Sequence, residues 1–229
     1  MKSVCRGRTR IGTRNILLSM LIVIASVIFE YVDEMMLSGH TPPGPDIFPQ
    51  HITYWDAVLL LHINPILLTP ILNVFFGSVT HLGATSVLVI FCVLLYLLGY
   101  KEEALLIFVT IILGTLVVSP LKATVTRLRP YSTLPTVVPL DYEAGSSFPS
   151  GHSERIFALA TVIRGGWRKS LLAYSLAATV AFSRLYLGVH YPTDVLFGSV
   201  IGLIVGVITL RLERRIIWLS SRFIDWFQG

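Results

Sequence analysis

Long apolar stretches, separated by short segments rich in polar residues, glycine or proline, dominate this chain. A helix needs about 20 mostly apolar residues to cross the hydrocarbon of a bilayer, and runs approaching that length recur along most of the sequence. The pattern predicts an all-α, polytopic membrane protein with six transmembrane helices in one bundle. The six predicted spans are residues 16–32, 81–98, 104–121, 156–163 with their flanks, 171–188 and 195–210.

The segment between the first and second predicted spans is apolar but repeatedly broken. Prolines at positions 42, 43, 45 and 49 remove backbone donors and fix the backbone, which excludes a helix over residues 40–49 and places them outside the hydrocarbon. Residues 54–76 are interrupted too often to form a continuous span. The interruptions are Asp56, His62, Asn64, Pro65, Pro70 and Asn73. We expect residues 33–78 to form a loop with an interfacial or re-entrant segment.

Three polar islands lie at the ends of the later predicted spans. Their sequences are KATVTRLRP over residues 122–130, FPSGHSE over residues 148–154 and SRLYLGVHYPTD over residues 183–194. Charged side chains at membrane depth each cost several kcal/mol unless they are paired or line a wet cavity, so they mark a functional site by default. The islands are therefore the first candidates for the chemistry of this chain.

Counting the spans puts the three islands on the same side of the membrane, because they end the third span, open the fourth and join the fifth to the sixth. Of the 18 Lys and Arg residues, 13 fall on the opposite side, and residues 30–78 contain none. Cytoplasmic loops carry the excess of Lys and Arg in membrane proteins. We therefore expect residues 1–15 to form a basic cytoplasmic tail, both termini to be cytoplasmic, and residues 33–78 and the islands to be extracytoplasmic.

The composition indicates a single integral membrane domain over residues 1–229. The chain is 54% hydrophobic and only 14% charged, which is too apolar for a soluble globular protein. Its net charge of +5 lies in short blocks beside apolar runs, as in topology signals, so we expect no nucleic-acid partner. Cys5 and Cys92 are separated by most of a predicted span and lack metal-ligand spacing, so we expect neither a disulfide nor a structural zinc site.

The islands contain the groups that phosphoryl transfer requires. Arg129 and Arg184 offer planar guanidinium forks that suit phosphate, and Lys122 offers a point charge. Gly151 permits close approach of backbone amides to an anion, and a helix that begins at Ser150 would add its dipole. The islands thus contain the material for a phosphate-binding site.

The islands also contain two histidines, His152 and His190. His190 has a carboxylate partner four residues later, and Pro192 fits the first turn of the last predicted helix. Asp194 would then lie just inside that helix and could accept a proton from one ring nitrogen of His190, leaving the other free to attack phosphorus. Spacing alone does not assign the roles of the two histidines.

Taken together, the islands resemble the signature of the type 2 phosphatidic acid phosphatase and vanadium haloperoxidase superfamily. The three parts are a Lys, six residues and Arg-Pro; Pro-Ser-Gly-His; and Ser-Arg, five residues, His, three residues and Asp, and all three match in order between Lys122 and Asp194. The resemblance covers about a third of the chain, residues 122–194, and is specific because three spaced motifs agree. The apolar helices around them favour the membrane-bound lipid phosphatase branch.

This resemblance implies a metal-independent hydrolase without a cofactor. It implies that His190 is the nucleophile and becomes a phosphohistidine, that His152 is the general acid, and that Asp194 orients His190. Its phosphate-binding residues would be Lys122, Arg129, Ser150, Gly151 and Arg184. The substrate would be a lipid phosphate or pyrophosphate, and the extracytoplasmic site favours a polyprenyl pyrophosphate carrier lipid. Phosphatidic acid and phosphatidylglycerol phosphate stay open as substrates.

Two other functions stay open. A lipid phosphotransferase would use the same residues and differ only in its acceptor, and a transporter could hold an intramembrane charge cluster. Inverted repeats, which would mark a transporter, do not occur in the sequence.

Further polar residues and two stripes of small residues receive structural predictions. We expect Arg127 and Arg155 to be interface anchors, and none of His40, His51, His62 and His81 to be catalytic. Small residues recur every four positions as Gly198, Gly202 and Gly206, and as Ala173, Ala177 and Ala181. Such stripes let helices approach closely. We expect them to pack within the bundle of a monomer or weak homodimer.

Overall fold

A computed structural model describes residues 20–25, 27–28, 48–163 and 165–228. The predicted basic tail, most of the proline-rich stretch and much of the first predicted span lie outside the described residues, although residues 20–25 and 27–28 of that span are helical. The labelled helices are α1 (Gln50–Ile63), α2 (Pro70–Val79), α3 (Thr85–Leu97), α4 (Lys101–Val125), α5 (Pro130–Thr133), α6 (Gly151–Val162), α7 (Trp167–Tyr186) and α8 (Pro192–Gln228), with a 3₁₀ turn at Thr80–Gly83 between α2 and α3. The part of the chain that is described contains no strand, which confirms the all-α prediction.

Two helical segments are long and apolar enough to cross a membrane, Lys101–Thr133 and Pro192–Arg222. Pro70–Gly83 and Thr85–Leu97 together meet the same criteria but are bent by 61°, so they form either a broken span or a re-entrant loop. The candidate spans are thus two or three within the described residues. This agrees with an integral membrane protein, and the arrangement of six spans stays a prediction.

Helix α6 packs against α4, α7 and α8, and its boundaries differ from the prediction. It begins at Gly151, five residues before the predicted core of its span, because the Ser150 side chain caps it and accepts a hydrogen bond from the Ser153 N–H. Its apolar residues, such as Leu159, pack with apolar residues of α3, α4 and α7, among them Leu88, Ile107 and Val180. A central helix of only 12 residues therefore presents its N-terminus to the polar end of the bundle.

The glycine stripe of α8 brings its backbone against α6, as predicted. A Cβ atom on Gly198 would lie 2.3 Å from the Ser150 carbonyl oxygen, and one on Gly202 would lie 2.2 Å from the Glu154 carbonyl oxygen. Contacts below 3.0 Å do not occur for real Cβ atoms, so only glycine permits this spacing. The stripe fixes the distance between α6 and α8 within one chain.

Candidate active site

The three polar islands meet at one end of the bundle and are joined by backbone hydrogen bonds. The Ser147 N–H donates to the Arg127 carbonyl (2.9 Å), which connects the segment before α6 to the segment after α4. The Ser150 N–H donates to the Asp194 carbonyl (3.0 Å), which connects the start of α6 to the first turn of α8. Arg184, in the last turn of α7, belongs to the same island as Asp194. All three islands therefore contribute to one site.

The carboxylate of Glu143, in the loop between α5 and α6, marks the centre of this site. Arg129 Nη1 lies 2.9 Å from Glu143 Oε2, and Arg184 Nη2 donates a very short hydrogen bond to Oε1. His152 Nδ1 lies 3.6 Å from Oε1, and His190 Nε2 lies 3.5 Å from Oε2. The structure thus brings two predicted cationic residues and both predicted histidines around a single anion.

Most of the residues around Glu143 are shielded from solvent. Arg184 and His190 are almost completely buried, and Arg129 is 3% exposed. The side chains of His152 and Glu143 remain 16% and 14% exposed. The site therefore opens towards its surroundings on the side of His152 and Glu143.

His190 lies between the Glu143 carboxylate and Asp194. Its Nδ1 is 3.6 Å from Asp194 Oδ2, which is longer than a hydrogen bond, and Oδ2 accepts the Tyr191 N–H at 2.8 Å. Asp194 is in the first turn of α8, as predicted. The two side chains thus face each other as expected, but the distance between them is too long for the direct hydrogen bond that was predicted.

Arg127 contradicts the prediction that it is an interface anchor. It is buried, and its guanidinium donates to Asp194 Oδ1 and to Asp56 Oδ2 at 2.7 Å each. The rings of Phe48 and Tyr191 cover the guanidinium, with centroids 4.2 Å and 4.0 Å away. Two carboxylates and two aromatic faces offset its desolvation, which an anchor at the membrane surface would avoid by remaining in water.

Asp56 and Glu143 are the site residues that sequence reasoning missed. Asp56 is 2% exposed, accepts a hydrogen bond from the Thr193 N–H at 2.9 Å and pairs with Arg127. Its signal was available, because a carboxylate inside an apolar stretch needs a partner. Glu143 gave no comparable signal, because it lies in a loop without helical or motif spacing.

The remaining predicted residues lie at or near this end of the bundle. Ser150 is the N-cap of α6 and Gly151 is its first residue, and both are buried. Lys122 lies half-buried in the last turn of α4. Arg155 is half-buried and donates from Nε to the Gly83 carbonyl (2.9 Å), so it connects α6 to the 3₁₀ turn and is not a surface anchor.

His51, His62 and His81 are exposed, and His40 lies outside the described residues. No group of three or more His, Cys, Asp or Glu side chains that could hold a metal ion occurs within residues 20–25, 27–28, 48–163 and 165–228.

The described residues form a helical bundle with two or three candidate membrane spans, and arginines and histidines surround one carboxylate at one end of it. The sequence model of the PAP2 superfamily matches residues 103–218, and the chain belongs to this superfamily. The predicted family is therefore confirmed, and so is a hydrolase of the phosphatase class.

Individual relatives support this assignment. The chain is 32% identical to phosphatidylglycerophosphatase B of Bacillus subtilis, over 64% of this chain and 78% of that enzyme. It is 33% identical to undecaprenyl-diphosphatase BcrC of Bacillus subtilis, over 37% of this chain and 45% of that protein. The second match thus spans less than half of the relative.

Two solved structures have the same fold. The crystal structure of LpxE from Aquifex aeolicus is 32% identical with a TM-score of 0.65, and the match covers 72% of this chain and 98% of LpxE. A transmembrane PAP2-type phosphatidylglycerolphosphate phosphatase from Bacillus subtilis is 25% identical, also with a TM-score of 0.65, over 86% of this chain and 98% of the other. The match to a transmembrane phosphatase supports an integral membrane protein.

Proposed function

We propose that this chain is a six-span membrane enzyme, a single domain over residues 1–229, that removes a phosphate from a lipid phosphate or pyrophosphate through a phosphohistidine. The observation that carries the proposal is the meeting of Arg129, Arg184, His152 and His190 around one carboxylate. A carboxylate is an anion of similar charge and hydrogen-bonding capacity to two phosphoryl oxygens. Its position marks where the substrate phosphate would bind.

In this proposal His190 Nε2 attacks phosphorus, because this nitrogen faces the anion while Nδ1 faces Asp194. The bond from phosphorus to the leaving oxygen breaks, and His152 gives that oxygen its proton. Water then attacks phosphorus and loses a proton to His152, the bond from phosphorus to His190 Nε2 breaks, and inorganic phosphate is released. Asp194 stabilises the positive charge that develops on His190 during the first step.

The proposed phosphate-binding residues act on the charge of the transferred group. Arg129 and Arg184 neutralise the phosphoryl oxygens, and Lys122 contributes a further cation from the end of α4. Ser150 and Gly151 supply the helix N-terminus, whose dipole favours an anion. These interactions strengthen as the phosphoryl group changes geometry in the transition state.

We propose a polyprenyl pyrophosphate carrier lipid as the substrate, with the site on the extracytoplasmic side. The asymmetry of Lys and Arg supports that side, and a carrier lipid is left there as a pyrophosphate after transfer of its sugar. The similarity to undecaprenyl-diphosphatase BcrC supports the same substrate class. The longer match to phosphatidylglycerophosphatase B favours a glycerolipid phosphate as the second candidate.

The roles of the two histidines are tested with two substrates in detergent containing EDTA, which we expect to leave turnover unchanged. His190→Ala should abolish turnover of both a lipid phosphate and a nitrophenyl phosphate. His152→Ala should lower kcat for the lipid phosphate about a hundredfold or more but affect the nitrophenyl ester much less, because nitrophenolate leaves without a proton. His51→Ala, which changes an exposed histidine of α1, is the control. Equal losses on both substrates in His152→Ala would contradict the general acid assignment.

A further inference from the structure

The Glu143 side chain occupies the place where the proposed function requires a phosphate. Its two carboxylate oxygens contact Arg129, Arg184, His152 and His190. Each of these residues is assigned to the substrate phosphate in the mechanism above. A phosphoryl group and this carboxylate cannot occupy the same place between these residues at the same time.

The backbone around Glu143 is held by hydrogen bonds that do not depend on its carboxylate. Tyr131 Oη donates to the Glu143 carbonyl (2.8 Å), and Arg129 Nη2 donates to the Ala144 carbonyl (3.0 Å). The Leu140 N–H donates to the Leu187 carbonyl (3.1 Å). The loop therefore keeps its place while the side chain alone can rotate out of the site.

The carboxylate of Glu143 carries its negative charge in this position. Burial acts to raise the pKa of Glu143, but the positive charges of Arg184 and Arg129 outweigh it and hold the pKa well below its ordinary value. An entering anion must therefore displace the ionised Glu143 carboxylate from Arg129 and Arg184.

We propose that Glu143 is a specificity-determining residue that competes with the substrate for the phosphate subsite. A terminal phosphate carries up to two negative charges and can replace the single charge of the carboxylate. The phosphodiester group of a bulk membrane lipid carries one charge and gains nothing by the exchange. Glu143 thus keeps the site free of the abundant phosphodiester lipids, and it returns to its donors when product phosphate leaves. This inference rests on the proposed phosphatase site.

The test is the binding of inorganic phosphate to the purified full-length protein in detergent, measured by isothermal titration calorimetry. Glu143→Gln keeps the shape of the side chain but removes its charge, and it should lower Kd for phosphate about tenfold, because a charge-assisted contact no longer has to be broken. Glu143→Asp keeps the charge on a shorter side chain and should give an intermediate Kd. This second variant provides the readout if Glu143→Gln does not fold.

Asp141→Asn is the matched control, because it removes a negative charge from the same loop. Asp141 Oδ2 lies 3.6 Å from Arg184 Nη1, but its side chain is 43% exposed and reaches only that arginine among the four residues around Glu143. Competition predicts a change of less than about twofold in Kd for Asp141→Asn, since an exposed charge is screened. Equal tightening in the two loop variants would mean a general field effect and would overturn the competition.

A second readout measures the proposed selectivity. With a lipid phosphate as substrate, phosphatidylglycerol in mixed micelles should inhibit Glu143→Gln at least about tenfold more strongly than the unchanged protein. An unchanged Kd and unchanged inhibition, with turnover intact, would overturn this inference alone. Absence of phosphate binding in every variant, together with absence of turnover, would overturn the proposed function as well.

Discussion

At the scale of single residues, two buried ion pairs connect Asp56 to Asp194 through Arg127. Arg127 divides its guanidinium between the two carboxylates at 2.7 Å each. Asp56 is thereby connected to the proposed nucleophile through two intermediates, since His190 Nδ1 approaches Asp194 at 3.6 Å. If Asp56 loses its charge, Arg127 has only Asp194 as an anionic partner and draws it away from His190.

Asp56→Asn is therefore expected to lower kcat for a lipid phosphate by about ten- to a hundredfold, because small displacements of reacting groups are costly. KM should change less than about twofold, since Asp56 lies behind Arg127 and not at the anion site. The variant should also unfold more easily, by about 3 kcal/mol, because one partner of a buried ion pair is lost. The measurement is kcat per folded enzyme, with the folded fraction taken from size-exclusion chromatography. A normal kcat for the folded fraction would assign Asp56 a purely structural role.

Sequence spacing identified Arg129, His152, Arg184 and His190, which the structure places around one anion. These residues could be predicted because each belongs to a motif with fixed offsets. Asp56 could not be paired with its partner, because Arg127 and Asp56 are separated by 71 residues. Glu143 could not be assigned, because it lies in a loop and belongs to no motif with fixed offsets. The catalytic roles themselves remain predictions until they are tested by kinetics.

At the scale of helices, the structure explains the polar residues that interrupt the apolar segment before α3. Asn64 of this segment donates to the carbonyls of Val138 (2.9 Å) and Tyr186 (2.8 Å), and it accepts the Val138 N–H (2.9 Å). Asn73 accepts a hydrogen bond from the Tyr186 hydroxyl (2.5 Å). The polar residues that argue against a continuous span thus fasten α1 and α2 to the loop and helix end that border the site.

Helix boundaries were predicted less well than helix existence. Helix α8 continues 18 residues beyond the predicted end at residue 210, to Gln228. The hydrophobic pattern ends where Arg211, Glu213, Arg214 and Arg215 enter the sequence, but a helix can leave the hydrocarbon and continue with a polar face. Hydropathy therefore located the most apolar part of the helix and missed its extension.

The contact between α6 and α8 predicts the effect of adding a single methyl group. Gly202→Ala places a Cβ atom 2.2 Å from the Glu154 carbonyl oxygen and 3.0 Å from the Ala158 nitrogen, which are backbone atoms and cannot rotate away. The helices must separate, so the variant should lose about 1–3 kcal/mol of stability. Gly77→Ala in α2 is the control, because nothing lies within 4 Å of its added Cβ atom and alanine is the better helix former. Thermal unfolding in detergent should show a lower Tm for Gly202→Ala only; equal Tm values would contradict the close packing.

At the scale of the whole molecule, the distribution of Lys and Arg predicts which end of the bundle faces the cytoplasm. Contacts within the protein do not determine this orientation. Tyr142 lies beside the site and is 74% exposed, whereas Trp167 begins α7 and is 71% exposed. Helix α7 has 20 residues, about 30 Å at the usual rise, and its other end contributes Arg184 to the site. The two aromatic residues therefore lie at opposite ends of the bundle with matched exposure.

The last prediction concerns the side of the membrane and the substrate that follows from it. In a background with Cys5→Ser and Cys92→Ala, a membrane-impermeant maleimide should label Tyr142→Cys in intact cells and Trp167→Cys only after lysis, because residues 164–169 carry three of the basic residues expected inside. A site on the outer face meets carrier lipids that have delivered their sugar, whereas most glycerolipid phosphates are made on the inner face. The kcat/KM for a polyprenyl pyrophosphate should accordingly exceed that for phosphatidic acid in the same micelles. Labelling of Tyr142→Cys only after lysis, or a ratio below one, would exclude the carrier lipid and favour a glycerolipid phosphate, while the PAP2 phosphatase assignment would remain.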